Sequence, residues 1–366
     1  MSRRRIRIFV GAVAVAAVIA AAALVIIGNG EQKGQALEHN GMVTGTVWVG
    51  NEDDASLTAI DASQNKVVTT LTGIESPHNV QVSPDGRMLW AVSGTQSRAV
   101  MVDAKTLALH GTVPTGNMPA HIVVTPDGKT AYTTNNADDT VSAIDTTTME
   151  PVATIPVGSG PHGLRPSPDG KWVYVANITG TTLSVIDTTN NKQVAEVEVG
   201  QSPAQVAFSP DGRFVYASLN GENAVAKVDV ATRTLVGKVE VGAGPIQTYV
   251  SPDNRYLLVA DQGTEDKPST TVSILETKTF TVLRTVQTGK GAHGIVIEPS
   301  SRHAYITNMY GNEVAVLDLK VLEVVARIPV GTKPNGLSFS PVTVSDRPAT
   351  KIELPMNPGG GSEMTH

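Results

Sequence analysis

Three histidines, His78, His162 and His293, each stand six residues before a proline in repetitive stretches of this chain, and His121 stands five before another. Four of the eight histidines therefore fall in two adjacent columns of one register, together with Asn79, Gln205, Gln247 and Asn335. Imidazole binds a divalent metal or a haem iron, or donates hydrogen bonds to an anion, so these columns could form a ligand or metal pocket. A solvated loop that merely tolerates histidine is the competing reading. Arg165 stands three residues before its proline, where other repeats carry Val123, Ala207, Tyr249 and Val296. A guanidinium there could hold a carboxylate or phosphate, or close a plain salt bridge. The expected ligand-binding set is His78, His121, His162, Arg165, Gln205, Gln247, His293 and Asn335, with His78, His162 and His293 the candidate metal ligands.

Other chemistries find less support. The chain has no cysteine, which excludes disulfides, thiolate metal sites, a cysteine nucleophile and covalent c-type haem attachment. No G-x-S-x-G, P-loop or H-E-x-x-H motif occurs, so a non-catalytic binding module is expected. A lactonase-like hydrolase would need converging carboxylates, and neither histidine column contains Asp or Glu. Met356, Met364 and His366 could hold copper, but they lie in a Gly-rich tail of the kind that is usually disordered. His110 and His303 read as solvated.

The columns have meaning only if the repeats superpose, and the spacing says that they do. The turn proline recurs at Pro84, Pro126, Pro168, Pro210 and Pro252, each 42 residues after the last, then at Pro299 and Pro341. One 47-residue step marks an insertion within Gln262 to Thr271. Six residues beyond successive prolines come Trp90, Tyr132, Tyr174, Tyr216, Leu258 and Tyr305, and Trp48 lies 42 before Trp90. Each of seven units contains four alternating apolar segments, which predicts one antiparallel four-stranded blade per repeat and a seven-bladed β-propeller. Aromatics at 4%, with 34 glycines and 22 prolines, fit short strands joined by tight turns.

The ends are incomplete in complementary ways. Residues 46–73 supply three strands without an inner one, and Gly336 to Ser340 is an inner strand without partners, so the two should close one blade. The S-P-D-G turns occupy one face of the disc, where Asp and Ser serve the turn backbone. The histidine columns and the insertion share the other face, which is expected to bind a small molecule or a protein. Equivalent positions in non-adjacent blades predict that His78, His162 and His293 surround the channel without touching. That spacing would suit a broad planar or anionic ligand better than one ion.

Ahead of the repeats, Arg3, Arg4, Arg5 and Arg7 precede an uncharged stretch from Ile8 to Ile27. Its length of ~20 residues is enough for one transmembrane helix, and the arginines would keep the N-terminus in the cytoplasm. The organisation read from the sequence is a signal anchor over 1–28, a linker over 29–45, the propeller over 46–341 and a tail over 342–366. The propeller is then periplasmic or otherwise extracytoplasmic and membrane-tethered, or secreted if the segment is cleaved. Without the four arginines, 28 − 4 = 24 basic residues face 34 acidic ones, a balance of −10 that makes nucleic acid an unlikely partner.

The string SPDGKWVYVAN…TTLSVIDT…VAEVEVG, from Ser167 onward, resembles the repeat of YVTN-family β-propellers, and the match runs from about Thr46 to Pro341. The resemblance implies the seven-bladed fold. It leaves the function open, because similar propellers include YncE-like exported proteins, surface-layer proteins, sugar lactonases and the haem-binding propeller of a bacterial nitrite reductase. Haem or a divalent metal is the cofactor it would admit.

Overall fold

The computed structural model describes residues 43–355. The expected signal anchor, nearly all of the linker and the residues from Met356 onward, His366 included, lie outside the described residues. Among the described residues no helix is long and apolar enough to cross a membrane.

One repeat explains the rest. In Ser167 to Trp172, the Gly170 amide donates to the Ser167 carbonyl at 2.8 Å, and the Ser167 hydroxyl donates to Asp169 at 2.6 Å and accepts the Trp172 amide at 3.0 Å. Gly170 closes this turn at φ +73°, a conformation that glycine adopts without strain. The turn joins the inner strand Pro161–Pro166 to Trp172–Asn177, which pairs with Thr182–Asp187, which pairs with Lys192–Glu198. Trp172–Asn177 is apolar up to its closing asparagine and almost entirely buried, because neighbouring blades cover both faces of the sheet. Lys192–Glu198, at the rim, alternates exposed and covered residues.

Seven sheets of this kind form a ring. Blades 1 to 6 run consecutively through residues 80–114, 119–156, 161–198, 203–240, 245–287 and 292–329. Blade 7 is built from both ends: Pro334–Ser340 is the inner strand, followed outward by Thr46–Asn51, Ser56–Asp61 and Lys66–Thr72. Thr46 pairs with Ser340 and Val49 with Leu337, as the complementary ends predicted. Seven apolar clusters fill the seven gaps between neighbouring blades. Val47, Val49 and Ile60 of blade 7 pack on Tyr305 and Val316 of blade 6, while Trp48 and Leu57 pack on Val80 and Leu89 of blade 1. The repeated aromatics Trp48, Trp90, Tyr132, Tyr174, Tyr216 and Tyr305 are all at most 1% exposed.

Blade 7 does not end at residue 341. Thr350–Lys351 adds a fifth strand, parallel to Lys66–Thr72, and Val344 and Ile352 enter the cluster shared with blade 1. Thr46 holds this segment by donating to the Val342 carbonyl at 2.9 Å and accepting the Val344 amide at 3.1 Å. Gly73, at φ +104°, lets the chain lie so close that a Cβ there would stand 2.1 Å from the Ile352 carbonyl oxygen.

Candidate functional site

The inner strands begin with a defect that aims side chains into the channel. In blade 3, Pro161 pairs with Asn177 and Leu164 with Val175, so three steps on one strand match two on the other. His162 and Gly163 fall in that bulge. The same irregularity follows Pro119, Pro203, Pro245 and Ala292. A bulge re-aims residues that a regular strand would send to opposite faces, and His121, His162 and His293 each fall in one, whereas His78 immediately precedes its short strand, Val80–Val82.

The consequence corrects the sequence expectation that the histidines stand apart. The His78 and His162 rings lie 5.2 Å apart between centroids, and their Nε2 atoms approach to 3.1 Å. His121 joins them, its centroid 4.7 Å from that of His162 and 5.4 Å from that of His78. One ring nitrogen each from His78, His121 and His162 lie within 4.8 Å of one another. The close nitrogen triad thus contains His121 and not His293. The His293 ring is edge-on to His78 at 5.9 Å, buried at 3% exposure, and its Nδ1 has no hydrogen-bond partner.

The protons of the pair can be placed from their partners. His162 Nδ1 lies 2.9 Å from the Ala204 carbonyl, which can only accept, so Nδ1 carries hydrogen and Nε2 presents a lone pair. That lone pair faces His78 Nε2, which must donate to it. His78 Nδ1 is then an acceptor, met by the Asn335 amide nitrogen at 2.9 Å. The same amide nitrogen donates to Glu52 at 2.9 Å, and that carboxylate oxygen stands 3.6 Å from His78 Nδ1. If a cation claimed both Nε2 lone pairs, the His78 proton would move to Nδ1, where Glu52 can accept it. A carboxylate behind a histidine in this way is the usual support of an imidazole metal ligand.

Charge favours a cation over an anion. Burial, followed by the neighbouring His162 and His78, holds His121 well below the ordinary histidine range. Burial, then His78, lowers His162 to about 4, and burial likewise lowers His293. Glu52 goes down to about 2, chiefly through His78, with Asn335 helping and burial opposing. Neutral imidazoles at His121 and His162 beside the ionised Glu52 carboxylate attract a positive ion.

The hollow above the cluster holds about 710 Å³ and is lined by His78 and His162 together with Glu52, Asn136, Met118 and Ile178. Met118 is 61% exposed. His121 lies beneath, at 1% exposure. The remaining amides serve the scaffold. Gln247 accepts the Ile295 amide, Asn79 accepts that of Ile122 at 3.2 Å, and Gln205 accepts its neighbour Val206 at 2.9 Å while approaching His121 Nδ1 at 3.4 Å. Arg165 sits elsewhere, three residues deeper along its strand, in a separate cavity with Tyr249. Its charge reaches the cluster only as a lesser contribution at His121.

Glu52 is the functional residue that the sequence reading missed. It lies in the turn after Thr46–Asn51, and the repeat spacing places Gly94, Asn136, Ile178, Asn220, Gln262 and Met309 at the same position. Glu52 alone is charged there. Extending the register from the inner strand to this turn would have found it.

Residues 93–351 match the family model described as a YNCE-like beta-propeller. No curated protein matches the sequence. Among solved structures, the chain is similar to Kuenenia stuttgartiensis hydrazine synthase at 25% identity, with 71% of this chain and 88% of that one covered and a TM-score of 0.64. A Bacteroides fragilis protein assigned provisionally as a 6-phosphogluconolactonase gives 17% identity, coverage of 81% and 98%, and a TM-score of 0.71. The dihydro-heme d1 dehydrogenase NirN, in complex with DHE, gives 14% identity, coverage of 83% and 77%, and a TM-score of 0.61. The last two likenesses concern the fold alone.

Proposed function

This chain belongs to the YNCE-like beta-propeller family, and from that premise we propose that it is a non-catalytic binding module whose channel mouth holds one divalent transition-metal ion on His78, His121 and His162. The observation that carries the reading is the 3.1 Å separation of the His78 and His162 Nε2 atoms. Imidazole nitrogens ~2.0–2.1 Å from one tetrahedral ion stand about 3.3 Å apart, so this pair is already spaced for a shared ion. His121, within 4.8 Å, closes the set by a small ring movement. Three protein ligands leave a fourth position directed into the 710 Å³ hollow, where a small molecule or a partner's side chain would complete the coordination. Imidazole donors suit zinc, copper or nickel.

The non-catalytic reading is supported by the lack of a catalytic motif in the sequence, and Glu52 serves in it as the carboxylate behind His78, 3.6 Å from Nδ1. A haem is less well served, because the convergence of the rings leaves no broad gap between them. The uncharged stretch from Ile8 to Ile27 behind four arginines supports export and membrane anchoring, with the propeller outside the cytoplasm.

The test is Co(II) and Zn(II) titration of chelator-stripped full-length protein, with metal analysis and the cobalt absorption spectrum as readouts. One ion per chain is expected, with affinity falling at least a hundredfold in His78→Ala and in His162→Ala and changing little in His293→Ala. Wild-type affinity in both of the first two variants would overturn the assignment.

A further inference from the structure

The opposite end of the channel holds a second cavity, separate from the hollow at the histidine cluster. Three residues before each turn proline, the inner strands contribute Gln81, Val123, Arg165, Ala207, Tyr249, Val296 and Ser338. Three residues of strand span about 10 Å, so this ring lies well below the histidines on the side of the S-P-D-G turns. The cavity there holds about 200 Å³ and shares no lining residue with the hollow at the mouth.

Its electrostatics are unbalanced. Among the described residues Arg165 makes no ion pair, and its one hydrogen bond is a long contact from a guanidinium nitrogen to the neighbouring Leu164 carbonyl at 3.5 Å. Burial lowers its pKa, but a guanidinium stays charged in a protein. Around it the lining is mixed: Val123, Pro166, Val296 and Leu337 are apolar, while the Tyr249 phenol, the Gln81 amide and the Ser338 hydroxyl are polar, and no carboxylate is among them. A half-buried cation without a charged partner is left poorly compensated unless an anion meets it. The whole chain is acidic, so a lone cation at the channel centre is the more distinctive.

We infer that Arg165 and Tyr249 form a binding site for a monocarboxylate, entered from the turn face of the ring. The guanidinium offers two parallel N–H donors to the two carboxylate oxygens, and the phenol is placed to supply a third. One positive charge balances one carboxylate. A phosphate dianion would leave one negative charge uncompensated. Val123, Val296 and Leu337 leave room on the wall for a short alkyl substituent.

Saturation-transfer NMR with propionate, on the full-length protein at low salt, reads this directly. Binding in the millimolar range is expected, weakened at least tenfold in Arg165→Gln and severalfold in Tyr249→Phe and Arg165→Lys, and unchanged in His162→Ala. Arg165→Gln removes an uncompensated charge, so its melting temperature should equal or exceed that of the wild type. Should Arg165→Gln not fold, Arg165→Lys and Tyr249→Phe carry the test. Propionate binding within threefold of wild type in all the variants that fold, or inorganic phosphate binding more tightly than propionate through Arg165, would overturn the site.

Discussion

A chain from Gly41 that stops before Pro334 is expected to lose cooperative unfolding altogether, whereas one that stops after Pro341 should fold and melt a few degrees below the full-length form. The first truncation removes the inner strand of blade 7. Val47 and Val49, both fully buried, would then face solvent, and the Thr46–Asn51 strand would present its free edge to other chains. Blade 6 also loses its cover of Leu337 and Phe339. An open ring has two exposed blade faces in place of none, and burying them is the reason that the ring closes. The second truncation keeps the ring and strips only the strap over its rim. Val344 and Ile352 leave the cluster around Trp48 and Leu57, at about 1.5–3 kcal/mol for each buried side chain, partly offset by the entropy the strap regains. Thermal melts followed by circular dichroism compare the two, and equal midpoints would refute closure through blade 7.

Much of this architecture was legible because a propeller writes each blade separately into the sequence. The 42-residue spacing of the turn prolines, with one longer step, fixes the number of blades and the place of the insertion without any knowledge of contacts. The shared blade followed from strands missing at both ends. The strap was not legible, since SDRPATKIELP lacks the turn and strand signatures of the repeat and gains its single pair of bridges only by lying against Lys66–Thr72. The site was half legible. Periodicity brought His78, His162 and His293 to one mouth, but the contacts among their rings depend on local backbone geometry, and a count of residues assumes regular strands. His121 of the adjacent column joins the nitrogen triad, while His293, in the equivalent bulge of blade 6, stays outside it. Arg165 was grouped with the mouth residues, yet three residues of strand separate it from them and it lines a different cavity.

The register also exposes a residue that works against the fold. Asn51, Asn135, Asn177 and Asn308 occupy one position in four blades, and blade 5 has Asp261 there. In blade 2 the Asn135 amide nitrogen donates to the Thr140 and Ser142 hydroxyls, both at 2.9 Å. In blade 5 the direction reverses: the Thr271 and Ser273 hydroxyls each donate to Asp261 Oδ2 at 2.9 Å, and Oδ1 has no partner. Asp261 is fully buried, and that burial raises its pKa from 3.8 to about 6 against the pull of those hydrogen bonds. A carboxyl whose folded pKa lies above its unfolded value costs stability as pH rises. Below about 4 both states are protonated and the cost vanishes; between about 4 and 6 the unfolded chain ionises first; above 6 the whole penalty is in force. Two units correspond to about 3 kcal/mol, an upper bound, so about 1–3 kcal/mol is the expected penalty at neutral pH. Asp261→Asn should therefore stabilise the propeller by that amount at pH 7.5, raising the melting temperature by several degrees, with Asn supplying the donor that its counterparts use. The gain should shrink steadily from pH 6 and disappear near pH 4. Denaturant melts of both proteins across pH 4–8 measure it, and a difference that stays constant across that range would mean that the buried carboxylate is not its source.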